Sequence, residues 1–446
     1  MLTAAKLGLL VSITASITIA QTDDFKVYTD APRLLLTPQR LRLLQRERDR
    51  KSMRWLQFDD FISAGAPLPD QAFAWALHYR VAGQAAVGKQ AVEWALSDKG
   101  LDLRQLAIVF DWCGAAMTPA QTERLGAKLE RTLKAAKSSP EVQDQRNIAF
   151  AAIALADRLP DHGEAYLKPL VEQWWRGNVV KKLSAGQRAI PRDQTYALLE
   201  LLHVVRDNLH IDLRENAPLF FKTLPTDHLV SHYPAPMNTR ENEFRIPVYV
   251  RDGEPDLADA VFSRAAEMAM VAYDNNAAEN QFLQGWLMQD RFLMRGPQGA
   301  VYEFLWANPY QPGLSYFQVP LIYHDEATGD VFARTSWDED AQWLGYFDGH
   351  LQMYRDGQVQ TLKAGSTVEP VHLGDAVILS AKSPEAFRFT GDAEAVFVVN
   401  LTPRANYEIE VDDQELAEEQ ADVGGTLVLS LPEGAKVGVR IRRRAN

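Results

Sequence analysis

A single cysteine, Cys113, occurs among the 446 residues of the chain. One cysteine excludes an intramolecular disulfide framework. Its neighbours Trp112 and Gly114 give it a helical apolar context, so we expect Cys113 to belong to the core rather than to act as a nucleophile. Glycine-rich phosphate loops, a Gly-x-Ser-x-Gly motif and Cys/His metal patterns are also missing. The sequence therefore predicts no cofactor.

Excess positive charge is missing as well. The chain has 47 lysines and arginines against 59 aspartates and glutamates, for a formal net charge of −12. This balance argues against nucleic acid as a partner, because nucleic-acid binding depends on basic surface. An acidic saccharide as a partner requires basic residues that are concentrated locally around a cleft.

Apolar runs long enough to span a membrane are absent from the sequence. Residues 7–19 are apolar apart from small and hydroxyl residues, but this run is too short for a comfortable membrane span. It follows Lys6 and precedes Ala20, an arrangement typical of a secretory signal. We therefore expect residues 1–20 to be a signal peptide, the protein to be periplasmic or secreted, and no membrane insertion. The sequence leaves the oligomeric state open.

Helical periodicity dominates the chain up to about residue 294. Thr37 and Pro38 predict a helix start, as N-cap and first helical residue. Phe73, Ala76 and Leu77 belong to an apolar stripe at helical spacing, and similar stripes recur at hairpin spacing. No fixed-period repeat is present, which favours a closed toroid of helical hairpins over a regular array.

The hydrophobic period changes to two beyond Phe317. Residues 331–335 and 342–347 have the pattern of strands, and Asp356-Gly357 is a strong hairpin signal. We interpret residues 302–320 as a connecting loop and the acidic stretch 408–422 as a solvated loop. The predicted fold is α + β and multidomain: an (α/α) toroid over residues 21–316, followed by an antiparallel β-sandwich over residues 317–446.

The first predicted helix carries a dense run of basic residues. A run of this kind is usually a solvated face and less often a contact for a polyanion. The run consists of Arg40, Arg42, Arg46, Arg48, Arg50, Lys51 and Arg54.

Two motifs resemble the heparinase II/III-like family of polysaccharide lyases. They are Pro32-Arg33-Leu34-Leu35-Leu36-Thr37 near the start and Val331-Phe332-Ala333-Arg334-Thr335-Ser336-Trp337 at the first strands. These motifs, and the order of helical hairpins followed by strands, are similar to those of secreted enzymes that have an (α/α) toroid followed by a β-sandwich. The resemblance implies cleavage of uronate-containing glycans by β-elimination, with an acidic polysaccharide or oligosaccharide as the partner.

The resemblance also implies a set of catalytic residues. In β-elimination, hydrogen-bond donors offset the uronate carboxylate while a Tyr or His moves the proton. Asn147, in a helix resembling the Asn-bearing helix of the family, is expected to donate to the carboxylate with help from Arg146. Tyr196, on a later helix, is expected to serve as proton donor or base. His203 lies on the same polar face of that helix and is a candidate for substrate binding.

A third cluster of candidates follows Pro225. We expect His232 to contribute to catalysis and this Pro-flanked, loop-like segment to line a glycan site. His228 and His232 have the i, i+4 spacing that holds a metal on a helix, but no third ligand is evident and no metal is predicted. The substrate-binding candidates in the segment are His228, Tyr233, Arg240 and Arg245.

Two alternatives to a lyase remain open. The lyases carry a His-rich stretch in the first strands of the β-domain, whereas this chain has only His350 in the matching region. A non-catalytic glycan-binding protein on the same scaffold is one alternative. The other is an (α/α)-barrel glycoside hydrolase that uses a pair of carboxylates. The candidates for that pair are Glu241 or Glu243 with Asp111 or Glu200.

Overall fold

The computed structural model describes most of the chain beyond residue 22. The described residues are 23–136, 139–238, 243–248, 260–289, 296–363, 370–380, 386–391, 395–411, 414–430 and 437–444. The expected signal peptide, Arg240 and Glu241 lie outside the described residues, so their predictions stay predictions.

The described part of the helical half contains thirteen α-helices. In chain order they are α1 (Pro38–Asp49), α2 (Met53–Ser63), α3 (Gln71–Ala82), α4 (Ala85–Leu96), α5 (Leu103–Trp112), α6 (Pro119–Ala135), α7 (Val142–Ala154), α8 (Val180–Ser184), α9 (Thr195–Leu209), α10 (Pro218–Val230), α11 (Ala260–Tyr273), α12 (Ala278–Gln289) and α13 (Pro297–Trp306). Before α8, the chain is π-helical over Gly163–Leu167 and Pro169–Val179. None of the described helices is long and apolar enough to cross a membrane.

Local sequence explains where several helices begin. The Thr37 side chain accepts a hydrogen bond from the Arg40 amide at the start of α1, with Pro38 at the first helical position as predicted. Thr118 and Gln121 form a capping box at the start of α6.

Alternate helices form a closed inner ring. α5 packs between α3 and α7, α9 packs between α7 and α11, and α13 packs against α11. The ring closes because α13 also packs against α2, which contacts α3, and because the rings of Tyr302 and Phe73 lie 5.5 Å apart. α4, α6, α10 and α12 lie outside this ring against their neighbours. The predicted toroid of helical hairpins is confirmed.

The described strands are numbered in chain order. They are β1 (Met237–Asn238), β2 (Glu243–Phe244), β3 (Ile322–Asp325), β4 (Asp330–Arg334), β5 (Trp343–Phe347), β6 (His350–Arg355), β7 (Gln358–Lys363), β8 (Val371–Leu373), β9 (Ala376–Ser380), β10 (Ala386–Gly391), β11 (Ala395–Val399), β12 (Asn406–Val411), β13 (Gln414–Gln420), β14 (Leu427–Ser430) and β15 (Val437–Arg443). β1 and β2 pair with each other. The remaining strands form a first sheet (β3-β4-β5-β6-β7), a middle sheet (β14-β11-β9-β8) and an outer sheet (β10-β15-β12-β13).

The three sheets stack in layers. Along the middle sheet, Ile378 and Phe397 face a hydrophobic cluster shared with the first sheet, whereas Val377 and Val396 face one shared with the outer sheet. This period-two alternation of apolar residues buries both faces of the middle sheet. The predicted β-sandwich is confirmed, with a third layer; among the described strands one pair, β9 with β11, is parallel and the other pairs are antiparallel.

The first sheet also packs on the helices. The side chains of Phe332, Trp343 and Phe347 belong to the same continuous hydrophobic cluster as the inner helices. The hairpin predicted at Asp356-Gly357 joins β6 to β7, and both residues have positive φ angles of 50° and 76°, as a type I′ turn requires.

Three local predictions are wrong. The acidic stretch 408–422 is a hairpin of β12 and β13, because Tyr407, Ile409 and Val411 alternate into the core between the glutamates. The connecting loop expected over 302–320 begins only after Trp306, where α13 ends. His228 lies in the last turn of α10 and not in a loop, since this helix continues through Pro225.

Candidate functional site

The centre of the helical ring is a buried network of charges around Glu200 on α9. Arg104 on α5 donates to both oxygens of this carboxylate, with Nε–Oε2 and Nη2–Oε1 distances of 2.9 and 2.5 Å. Arg146 on α7 donates to Oε2, and the Tyr196 hydroxyl, one helical turn before Glu200, donates to Oε1 at 2.7 Å. Three side chains, from α5, α7 and α9, thus donate to one carboxylate.

The electrostatics of the network follow from burial and pairing. Burial raises the pKa of the Glu200 carboxyl, but the two guanidinium groups outweigh it and hold that pKa below its ordinary value. Burial, followed by the negative charge of Glu200, raises the pKa of Tyr196 above its ordinary value. Tyr196 is therefore a neutral phenol that donates to an ionised Glu200.

Two further candidates adjoin this network. Asn147 accepts a hydrogen bond from Arg146 Nε through Oδ1 at 2.8 Å. The indole N–H of Trp306 donates to the Tyr196 hydroxyl at 3.0 Å, and the Trp306 ring lies 4.7 Å from that of His203. Burial, with help from nearby Arg40, lowers the pKa of His203, so this imidazole is neutral. The structure thus brings together Asn147, Arg146, Tyr196 and His203.

A cleft of about 710 Å³ opens at one end of the ring, next to Trp306. Most of α1, the last turns of α9 and α11, Gln284 of α12, and the end of α13 with the segment that follows it form its walls. Its charged lining consists of four arginines and one aspartate, which are Arg40, Arg42, Arg46, Arg206 and Asp207. Its uncharged polar lining includes Gln39, Asn275, Gln284, Asn308 and Gln311.

The four arginines of the cleft differ in their partners. Arg206 Nη2 pairs with its neighbour Asp207 at 2.9 Å. The Arg40 guanidinium lies 4.1 Å from the Trp306 ring centre, and burial lowers the pKa of Arg40 to about 10. Arg42 and Arg46 are exposed, and neither forms an ion pair with any residue that the structure describes. The cleft therefore presents a surplus of positive charge on a protein whose net charge is negative.

His232 lies in a separate buried cluster with His228. The Nε2 atoms of His228 and His232 lie 3.2 and 2.8 Å from Oε1 of Glu267 on α11. Trp286 on α12 covers the group, with its ring 4.2 Å from that of His232. Arg264 Nε lies 3.0 Å from the other carboxylate oxygen of Glu267.

The last two described candidates contact the first sheet. The Tyr233 hydroxyl donates to Gln352 Oε1 on β6 at 2.5 Å, and both side chains are buried. Arg245 pairs with Glu339 at 2.9 Å. Neither residue lines the cleft beside Trp306.

The carboxylates considered for a hydrolase have other partners. Asp111 accepts hydrogen bonds from the backbone amides of Arg33 and Leu34, and so fixes the segment that leads into α1. Burial raises the pKa of Asp111 to about 6. Glu200 is bound by the two arginines of the ring, and the side chain of Glu243 lies outside the described atoms.

Sequence reasoning missed residues that organise the network around Glu200 and the cluster of His228 and His232. Glu267 is separated from His232 by 35 residues, and only the packing of α10 on α11 brings them together. Arg104 and Trp306 carry no local motif. For the cleft a signal did exist, because Arg40, Arg42 and Arg46 belong to the basic run of the first helix.

Comparison with known proteins identifies no family for this chain. No family model matches this chain, and no curated protein matches it. The chain is similar to a solved structure described as "Glycoside hydrolase", with 9% sequence identity, coverage of 84% of this chain and 72% of that chain, and a TM-score of 0.31. A similarity at this level carries no argument about function.

Proposed function

We propose that this protein binds an acidic saccharide in the arginine-lined cleft at the end of the helical ring. The observation that carries the proposal is the charge of the cleft, with four arginines and one aspartate around a volume of about 710 Å³. That volume lies within the range of about 300–1,000 Å³ typical of small-ligand sites. Arginine forks match the planar geometry of a carboxylate.

The uncharged lining favours a saccharide over a simple anion. Five amide side chains line the cleft, and an amide carries both a donor and an acceptor, although the donor of Gln284 already binds the backbone carbonyls of Asn308 and Gln311. Sugar hydroxyl groups need both kinds of partner. A ligand that carries one or two carboxylates on a hydroxyl-rich frame fits this combination, as a uronate-containing oligosaccharide does.

Binding is better supported than turnover. Among the lining residues that the structure describes, Asp207 is the one carboxylate, and no tyrosine or histidine lines the cleft. Hydrolysis by the usual route needs two carboxyl groups. β-Elimination needs a side chain that takes the sugar proton.

β-Elimination by the Tyr196 network is the second candidate, and one observation favours it. Trp306 lines the cleft, and its indole N–H donates to the Tyr196 hydroxyl. Tyr196 therefore lies one side chain below the cleft wall, with Asn147 and Arg146 on the same network. Displacement of Trp306 by a ligand would open the phenol to the sugar.

Calorimetric titration of the full protein with uronate oligosaccharides tests the proposal. We expect binding that weakens as salt increases, because salt screens the attraction between the arginines and the carboxylates. We expect the Arg42→Glu/Arg46→Glu variant to bind at least about tenfold more weakly, in keeping with about 1.4 kcal/mol or more for two reversed charges. Arg124→Glu, on the exposed face of α6, is the matched control and should bind like the wild type.

The same samples report on chemistry. Ultraviolet absorbance detects the unsaturated uronate that elimination leaves, and new reducing ends without absorbance indicate hydrolysis. Equal affinity for a neutral oligosaccharide, or unchanged binding by the charge-reversed variant, would refute the proposal.

A further inference from the structure

We propose that His228, His232 and Glu267 form a site for a divalent transition-metal ion, zinc by its ligand chemistry, inside the helical half of the molecule. The site is independent of the cleft and does not rest on the function proposed for it. Two imidazoles and a carboxylate are a ligand set that zinc accepts.

The geometry of the three side chains is already close to that of a coordination sphere. The three ligand atoms lie within 4.8 Å of one another. The two Nε2–Oε1 distances are 3.2 and 2.8 Å. Neighbouring ligands around a tetrahedral zinc ion, with bonds of about 2.0–2.1 Å, lie roughly 3.3 Å apart. The two Nε2–Oε1 distances therefore lie within about 0.5 Å of the spacing that a zinc ion requires.

The orientation of His232 supports a metal at Nε2. Its Nδ1 lies 3.1 Å from the carbonyl oxygen of Leu229. A carbonyl oxygen only accepts, which favours a proton on Nδ1; Nε2 then faces Oε1 of Glu267, which also only accepts, so a proton or a metal ion has to lie between these two atoms. Two lone pairs at 2.8 Å need a cation to bridge them. Metal-binding histidines commonly use their second nitrogen in this way, as a donor to a backbone carbonyl.

The surroundings supply a fourth ligand atom near the metal position, the hydroxyl oxygen of Ser263, and an ion-pair partner for the Glu267 carboxylate, Arg264. Ser263 Oγ lies 3.2 Å from Oε1 of Glu267 and 3.5 Å from Nε2 of His228. Arg264 holds the opposite oxygen, Oε2, at 3.0 Å and leaves Oε1 directed at the histidines. All of these residues are buried, which is the environment of a closed structural site rather than of a catalytic one.

The competing interpretation is a buried ion pair in which protonated histidines replace the metal. A proton on one histidine satisfies a single lone pair, whereas one metal ion satisfies both imidazoles and the carboxylate together. Two imidazolium rings and one zinc ion bring the same charge of two next to Glu267 and Arg264, so the two interpretations differ in coordination and not in charge.

The site lies where the helices meet the first sheet. Arg334 on β4 donates to the carbonyl oxygen of His232 at 2.6 Å, and the Trp343 indole on β5 donates to that of Val230 at 3.0 Å. A metal that joins the last turn of α10 to α11 would fix the backbone on which these strands dock.

Metal analysis of the full protein, purified without a histidine tag, tests the inference. We expect about one zinc ion per chain after passage over a chelating resin, slow removal by EDTA because the ligands are buried, and visible absorption bands of tetrahedral Co²⁺ after substitution. We expect His232→Gln and Glu267→Gln to bind zinc at least about a hundredfold more weakly. His372→Gln, at an exposed histidine in the middle sheet, is the control for adventitious binding and should retain the metal.

Thermal unfolding keeps the test decisive when a variant folds poorly. Excess zinc should raise the Tm of the metal-depleted wild type, since a ligand of the folded state stabilises it. It should leave the Tm of the two ligand variants unchanged. Wild type that contains no zinc and shows no shift in Tm, or variants that retain zinc like the control, would overturn the inference.

Discussion

Arg192, just before α9, and Asp330, on β4, join the helical half of the molecule to the first sheet, with Nη2 and Oδ2 2.6 Å apart. Arg188 also binds the Asp330 carboxylate, and Arg192 Nη1 lies 3.1 Å from Asp227 on α10. Asp348, after β5, completes the group through Arg188. Three buried or nearly buried carboxylates therefore share two guanidinium groups, and one negative charge is left uncompensated.

Stability should fall as pH rises toward neutrality because of this cluster. Burial, with the nearby carboxylate of Asp227, raises the pKa of Asp330 from 3.8 to about 7, although Arg188 opposes the shift. Between these values the folded state holds a proton that the unfolded state has lost. The stabilisation from that proton is complete below about pH 4 and is lost as pH rises through about 7.

Chemical denaturation from pH 5 to pH 8 measures this effect. The difference in unfolding free energy between wild type and Asp330→Asn should decrease by up to about 1.4 kcal/mol per pH unit below pH 7 and level off above it. Asp356→Asn, in the exposed β6–β7 turn, is the control and should parallel the wild type. A difference that does not vary with pH would contradict the assignment of the proton to Asp330.

Glu200→Gln should destabilise the ring strongly. The substitution preserves volume but removes the Glu200 charge from the buried Arg104 and Arg146, and it leaves Arg104 with the Asp70 carboxylate at 3.9 Å. Removal of one partner from a buried ion pair typically costs about 3–5 kcal/mol. Urea denaturation measures the loss, and Glu123→Gln, in an exposed pair with Arg158, should change stability little. Equal effects of the two substitutions would show that Glu200 does not hold the ring together.

Much of the fold could be predicted because its signals are local. The apolar stripe around Phe73 and the Asp356-Gly357 turn each depend on neighbours within a few residues. The hairpin of β12 and β13 was missed because its glutamates, Glu408 and Glu410, obscured the alternation of apolar residues between them. Charge composition describes the solvent face of such a strand and says nothing of its buried face.

The candidate site was less predictable because it depends on contacts between distant parts of the chain. The helical spacing of Tyr196 and His203 correctly predicted that both side chains lie on the same face of α9, where both contact Trp306. The convergence of Arg104 and Trp306 on that face depends on closure of the ring, which no local pattern encodes. For the same reason, Glu267 was not recognised as a partner of His232.

Gly285 on α12 allows the wall of the cleft to approach this helix. A Cβ at this position would lie 1.8 Å from the carbonyl oxygen of Leu314, in the segment after α13. The neighbouring Gln284 donates to the backbone carbonyls of Asn308 and Gln311, which line the cleft. Backbone of the cleft wall therefore rests directly on α12.

Gly285→Ala should displace this wall. We expect a loss of about 1–3 kcal/mol in unfolding free energy, as for other overpacked sites, together with weaker binding of the uronate oligosaccharide. Gly114→Ala, where an added Cβ meets nothing within 4 Å, is the control and should alter neither quantity. An unchanged unfolding free energy of Gly285→Ala would show that the backbone at Leu314 moves away from the added Cβ at little cost, which would contradict this prediction.

Tyr196→Phe separates the two functions considered for the cleft. The substitution removes the donor to Glu200 and the acceptor for the Trp306 indole, and it leaves that N–H buried without its partner. An unsatisfied buried donor typically costs about 1–3 kcal/mol, so unfolding free energy should fall by that amount. For a binding protein, the calorimetric Kd for the uronate oligosaccharide should stay close to the wild-type value, because Trp306 lies between Tyr196 and the ligand. For a lyase, the ultraviolet signal of the unsaturated uronate should disappear while binding persists. A wild-type ultraviolet signal that survives Tyr196→Phe would exclude this phenol as the proton carrier and would direct attention to Asp207.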